Sequence, residues 1–195
     1  MNFNKIILAS QSPRRSQLLQ WAEIPFEVIV AQTDESYPDD LPAMDVAMHI
    51  AYNKAVSVKE SIGNINTNGK EYPILAADTI VVLENKIIGK PVNREEAIST
   101  LSDLSGKIHS VITGVCILSG GQKIIFADET FVEFHLLSKE QIEYYVDKYN
   151  PYDKAGAYAI QEWIGVTGIR SIHGDFYNVM GLPVSRVLKE LQAFG

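Results

Sequence analysis

Residues Pro73 to Leu83 form a nearly continuous apolar run, the pattern of a central strand covered on both faces. Such a strand needs helices on either side of its sheet. Around it, period-2 and 3.6-residue patterns alternate without any internal repeat. Phe3 to Ser10 reads as a strand, and Ser12-Pro13 opens a helix to about Ala22, with Ser12 as N-cap and Pro13 at the first helical position. Phe26 to Val30 is a second strand, Thr33 to Asp40 a polar loop, and Pro42 to Ser61 a long helix. Ile62 to Glu71 is the most loop-like stretch. Asn93 with Glu96 marks a capped helix to Leu104, stopped at Gly106. His109 to Leu118 and Lys123 to Leu136 read as a hairpin around Ser119-Gly120-Gly121. Ser138 with Gln141 opens another helix. Two short strands, Ala157 to Gln161 and Thr167 to Ile172, precede a last helix from about Leu182. The expectation is an α/β protein, a mixed twisted sheet of about seven strands with about five flanking helices.

Charge narrows the choice of ligand. The chain has 195 residues, with 17 Lys+Arg against 24 Asp+Glu and a net charge of −7. That balance argues against nucleic acid held by bulk charge and against anionic membrane surfaces. An anionic ligand would need a few local cations, backbone N–H groups or a metal. The length suits a single domain over residues 1–195, or two small lobes sharing one core. The single cysteine, Cys116, lies in Val115-Cys116-Ile117-Leu118 and reads as a buried core thiol. No signal peptide pattern is visible, and no apolar run approaches the about 18 residues of a membrane span. The expected compartment is a reducing cytoplasm.

Four constellations carry chemistry. Ala9-Ser10-Gln11-Ser12-Pro13-Arg14-Arg15 lies where a strand turns into a helix. Hydroxyls, guanidinium groups and a helix N-terminus there suit a phosphate, although the P-loop and dinucleotide glycine patterns are missing. A capped surface helix with solvated arginines is the plain alternative. Asp78 stands inside the apolar run, where an ionised carboxylate is costly unless paired, hydrogen-bonded or metal-bound. Asp34 and Glu35 could complete a metal or water-activating cluster with it, though alone they are ordinary loop acids. Lys54 falls on the apolar face of its helix with Ala47, Ile50, Ala51 and Val58, and Lys90 sits in the turn Gly89-Lys90-Pro91. Either matters if it converges on Asp78. In Asp153-Lys154-Ala155-Gly156-Ala157-Tyr158-Ala159-Ile160-Gln161-Glu162, small residues permit close approach. There Gln161 offers a donor and an acceptor, matching N3–H and O4 of thymine or uracil. Glu162 offers only acceptors, suited to guanine, and on a strand the two neighbours face opposite sides, so register would decide which reads a base.

Taken in order, Ala9-Ser10-x-Ser12-Pro13-Arg14-Arg15, Ala77-Asp78-Thr79, Gly89-Lys90-Pro91, Asp153-Lys154-Ala155-Gly156-Ala157-Tyr158 and Gly181-Leu182-Pro183 resemble the Maf family of nucleoside triphosphate pyrophosphatases across nearly the whole chain. The resemblance implies a fold similar to inosine triphosphate pyrophosphatases, with a ligand cleft between two lobes, and a homodimer. It implies hydrolysis of a triphosphate to monophosphate and pyrophosphate with Mg²⁺ or Mn²⁺. By the same resemblance Asp78 is the proton acceptor and a metal ligand with Glu35. Ser10, Arg15, Glu35, Lys54 and Lys90 belong to the catalytic and phosphate-binding set, with Ser12 in the same turn. Arg14, Thr79 and Gln161 are linked to base selection. Glutamine at position 161 implies a dTTP/UTP preference, while Ala159 and Glu162 stand where many relatives have glycine. The rival readings are a pyrophosphatase for purine or modified nucleotides, and a nucleotide-binding cell-division regulator with little turnover.

Overall fold

A computed structural model of the chain describes residues 5–62 and 72–192. The loop expected over Ile62 to Glu71 therefore lies outside the described residues from position 63 onward; Ile62 itself ends a helix. The strands are β1 (Ile6–Leu8), β2 (Phe26–Val28), β3 (Ile74–Leu83), β4 (Lys86–Ile88), β5 (Ile108–Ser119), β6 (Gln122–Phe134) and β7 (Ile169–His173). The helices are α1 (Pro13–Trp21), α2 (Ala43–Ile62), α3 (Arg94–Leu104), α4 (Lys139–Tyr149), α5 (Trp163–Gly168), α6 (Phe176–Met180) and α7 (Val184–Gln192). The seven strands form one sheet in the order β2-β1-β3-β5-β6-β7, with β4 pairing with β3. β1 is parallel to both β2 and β3, whereas β4 and β7 run antiparallel to their partners, so the sheet is mixed as expected.

The chain divides into two compact units. The first is drawn from Met1–Asp78, Thr113–Asp128 and Gly181–Gly195. Its core joins Ile7 and Ala9 near β1, Ala51, Ala55 and Val58 of α2, Ile74 and Ala76 of β3, and Cys116 and Leu118 of β5. The buried stripe of α2 (Val46, Ala47, Ile50, Ala51, Ala55, Val58) recurs every three to four residues, as one helical face must. Its small side chains bring the α2 backbone onto β5. A Cβ on Gly114 would lie 2.2 Å from the Ala47 carbonyl carbon, so only glycine fits there. Cys116 is fully buried, and burial pushes its thiol up to about 12, which leaves it protonated.

The second unit is Thr79–Ile112 with Glu129–Met180. Asn93 Oδ1 accepts from Glu96 N at 2.8 Å, while the Glu96 carboxylate accepts from Val92 N. Ser138 and Gln141 form a full capping box at the start of α4. β3 and β4 are joined by Glu84-Asn85, both at positive φ, the two-residue hairpin connection that asparagine tolerates. This short strand was not expected. The expected strand over Ala157 to Gln161 does not form. Gly156 and Ala157 sit at φ 69° and 58°, which breaks extended backbone, and 3-10 turns at Pro151–Asp153 and Ala155–Ala157 replace it. The strand expected from Thr167 begins at Ile169, because Trp163–Gly168 is helical. α6 was likewise not expected.

Candidate active site

In the first unit the chain passes from β1 through α1 to β2 on one side, then through α2 to β3 on the other side of β1. That reversal is a topological switch point, and ligands of open α/β sheets bind where strands end at such a point. β1 and β3 are paired with Leu8 opposite Leu75, so Ser10 and Asp78 both lie beyond the shared register. Ser12 takes an extended conformation and accepts from Arg15 N, capping α1, with Pro13 in the first turn. Ser10 Oγ accepts from Ser12 N at 3.2 Å and from Arg15 Nη1 at 3.0 Å. Arg15 Nε donates to the Gly181 carbonyl at 2.8 Å. Burial lowers the Arg15 guanidinium to about 10, an effect opposed by Asp78 and Glu35, so it remains a buried cation at neutral pH. Arg14 is half-buried in the same first turn of α1.

Lys54 reaches out from the apolar stripe of α2. Its Nζ lies 2.6 Å from Asp78 Oδ1 and 2.9 Å from Glu35 Oε1. The Asp78 and Lys54 side chains are 15% and 18% exposed against 52% for Glu35, so the Lys54–Asp78 pair forms the sheltered half of the group. Asp34 is not part of it. Its carboxylate accepts from Ser36 N and Ser36 Oγ, both at 2.9 Å, closing a local turn, and the Ser36 N–H holds it below its usual carboxylate range. Sequence pattern alone could not choose between these adjacent acids.

Two carboxylates converging on one cation suit a hard divalent metal, which commonly takes one or two carboxylates and completes its shell with water and phosphate oxygens. Among the described residues no group of three or more His, Cys, Asp or Glu side chains is placed to hold an ion. The donor set thus fits a metal that arrives with a phosphate ligand better than a resident one.

The other residues singled out belong to the second unit. Thr79 follows Asp78 on β3 and faces the opposite side of the strand. Lys90 is exposed after β4, and its turn is tied to the Asp-Lys-Ala-Gly segment, since Gly89 O accepts from Gly156 N at 3.2 Å. A Cβ on Gly156 would lie 2.9 Å from Val81 Cγ2, so glycine serves both close approach and positive φ. Gln161 is exposed and occupies a turn rather than a strand, with Glu162 N donating to Ala159 O at 3.1 Å. Register therefore does not decide between Gln161 and Glu162. Glu162 turns inward to Lys154 and Tyr145, leaving Gln161 as the outward group.

A model of the family described as Maf-like protein matches residues 5–194. The chain belongs to the Maf family. It is 48% identical over 191 residues to a Parabacteroides distasonis protein named dTTP/UTP pyrophosphatase, covering 97% of this chain and 96% of that relative. A Bacteroides fragilis protein of the same name is 46% identical over 189 residues, covering 96% and 95%. One from Porphyromonas gingivalis is 44% identical over 192 residues, covering 98% and 94%. In this Maf chain, contacts that sequence reasoning missed include the Gly181 carbonyl beneath Arg15 and the Tyr145 hydroxyl beneath the Gln161 turn. Gly181 could have been suspected from its place in an ordered motif. Tyr145 had no local signal, being one tyrosine among several on α4.

Proposed function

We propose that this Maf chain hydrolyses dTTP and UTP to the nucleoside monophosphate and pyrophosphate, with a divalent cation bound. The Lys54 ammonium between Asp78 and Glu35, midway along β3 where that strand runs on past the end of β1, beside the Ser10–Arg15 turn, carries this reading. The names of its relatives support the substrates. Arg14, Arg15 and the start of α1 supply positive potential for the triphosphate, and Ser10 and Ser12 fix the turn that presents it. Asp78 accepts the proton of the water that attacks the α-phosphorus. As the new P–O bond forms, the bond from the α-phosphorus to the bridging oxygen breaks, and pyrophosphate leaves with its electron pair. Lys54 orients the Asp78 carboxylate, and Lys90 offsets charge on the departing pyrophosphate. Glu35 and Asp78 would hold Mg²⁺ or Mn²⁺, which neutralises phosphate charge when bound. Gln161, with Arg14 and Thr79, selects the base.

The test is Asp78→Asn. Pyrophosphate release from dTTP with Mg²⁺ is expected to fall at least about 100-fold, the scale of a lost general base. Near-normal turnover in a folded variant overturns the role. Orthophosphate in place of pyrophosphate would overturn attack at the α-phosphorus. The reading also includes a homodimer, checked by light scattering, and a cytoplasmic location, checked by fractionation. No described helix is long and apolar enough to cross a membrane.

A further inference from the structure

The turn that carries Gln161 is held in an unusual way. Ala159, Ile160, Gln161 and Glu162 form a four-residue turn closed by Glu162 N donating to Ala159 O. Its first residue donates from Ala159 N to the Tyr145 hydroxyl at 3.1 Å. The same hydroxyl donates to Glu162 Oε2 at the other end of the turn. A single phenol thus accepts from one end and donates to the other. Tyr145 is fully buried and stacks on Tyr149, with ring centroids 5.0 Å apart, on the doubly capped helix α4.

Further contacts leave the turn little freedom. The side chain of Lys154 is 9% exposed; its Nζ lies 3.6 Å from Glu162 Oε1 and 2.7 Å from Asp153 Oδ1, so the second Glu162 oxygen faces a buried ammonium. The Glu162 carbonyl accepts from Gly165 N and Val166 N and starts α5. A Cβ on Gly165 would lie 1.7 Å from the Ile160 carbonyl oxygen, so α5 sits directly on the turn. What remains outward is the Gln161 side chain. A primary amide reads a base only if its donor and acceptor start from a fixed point, to within about 0.5 Å.

We propose that Tyr145 and Glu162 are positioning residues for base selection: they clamp the turn so that Gln161 presents its amide in one pose. This rests on the reading of Gln161 as the base-selecting group. Neither residue touches the substrate in this account. Both act through Gln161, and their loss widens the range of bases tolerated rather than slowing the chemistry uniformly.

The experiment compares kcat/KM for dTTP with that for dCTP, whose N3 and N4 positions present the reverse donor–acceptor order. That ratio does not depend on how much of a variant is folded. Gln161→Ala should lower the ratio and defines the full effect. Tyr145→Phe and Glu162→Ala should each lower it about tenfold, the scale of a lost hydrogen-bond readout, with KM for dTTP moving more than kcat. Glu162→Gln keeps an acceptor for the phenol and should hold the ratio within about threefold of the parent. Gln161→Ala combined with Tyr145→Phe should fall no further than Gln161→Ala alone, because the two act on one step. An unchanged ratio in Tyr145→Phe and Glu162→Ala, where Gln161→Ala collapses it, overturns the clamp and leaves the base reading intact. A uniform loss on both nucleotides, or additive losses in the double variant, also overturns the clamp. An unchanged ratio in Gln161→Ala overturns the base reading and the clamp together. Should Tyr145→Phe fail to fold, Glu162→Ala removes the same contact from the exposed side.

Discussion

His109 on β5 is a buried imidazole with one polar partner. Its Nε2 shares a hydrogen bond with Tyr158 Oη at 2.8 Å, its ring stacks on Phe134, and Nδ1 is buried with no hydrogen-bond partner among the described residues. Burial lowers its pKa from 6.5 to about 4. Between those values the unfolded chain binds a proton that the folded chain does not, so stability falls as pH falls. The contribution is complete above about pH 6.5 and gone near pH 4, with an upper bound of about 3 kcal/mol. His109→Gln keeps a polar partner for Tyr158 without the titration. Its urea midpoint should fall less than the parent's between pH 7 and pH 4.5. Parallel pH profiles would remove His109 as a source of acid sensitivity. At this scale the legible residues were those whose chemistry conflicts with their surroundings, such as Asp78 in an apolar run. Arg15 was visible as a candidate phosphate ligand. Its burial against the Gly181 carbonyl, far along the chain, was not, because no local pattern reports a contact across 166 positions.

Among elements, α2 does the most to place the site. Lys54 reaches Asp78 only because the helix backbone lies against β5 at Gly114. Gly114→Ala would put a methyl 2.2 Å from the Ala47 carbonyl carbon, so the helix must move. Overpacking of this kind costs about 1–3 kcal/mol. The expected outcome is a lower melting temperature and a larger loss of pyrophosphatase turnover than the fraction unfolded explains, since Lys54 shifts with its helix. Full activity per folded molecule would mean that Lys54 tolerates the displacement. Elements with strong signals matched expectation: α2 by its apolar stripe, α4 by its capping box, and the β5–β6 hairpin by Gly120 and Gly121, both at positive φ. The segment over residues 155–168 did not. Alternating small and apolar residues there suggested a strand, but Gly156 and Ala157 take left-handed backbone, and α5 is too short to establish a helical period. That irregular segment carries Gln161, so the part least legible in the sequence is the part with the most specialised proposed role.

At the scale of the whole molecule, a net charge of −7 must be reconciled with a substrate carrying about four negative charges near pH 7. Many acids are already matched at the surface: Glu27 with Lys5, Asp147 with Arg94, Glu84 with Lys107 and Glu133 with Arg170. Exposed pairs of this kind contribute little to stability, typically about 0–1 kcal/mol. Asp78 and Glu35 differ in sharing one ammonium, so a triphosphate drawn in by Arg14, Arg15 and Lys54 also meets two carboxylates. A dication brought by the nucleotide changes that balance, and two carboxylates alone make a weak site. Free protein should therefore bind Mn²⁺ weakly, and a non-hydrolysable α,β-methylene analogue of dTTP should tighten that binding about tenfold or more beyond what the analogue achieves in solution. Asp78→Asn should abolish the gain, and removing metal with EDTA should stop turnover until Mg²⁺ or Mn²⁺ is restored. Calorimetry with and without the analogue decides the matter: tight, stoichiometric Mn²⁺ binding by the nucleotide-free chain would require a resident metal site that the Asp78–Glu35–Lys54 group does not provide.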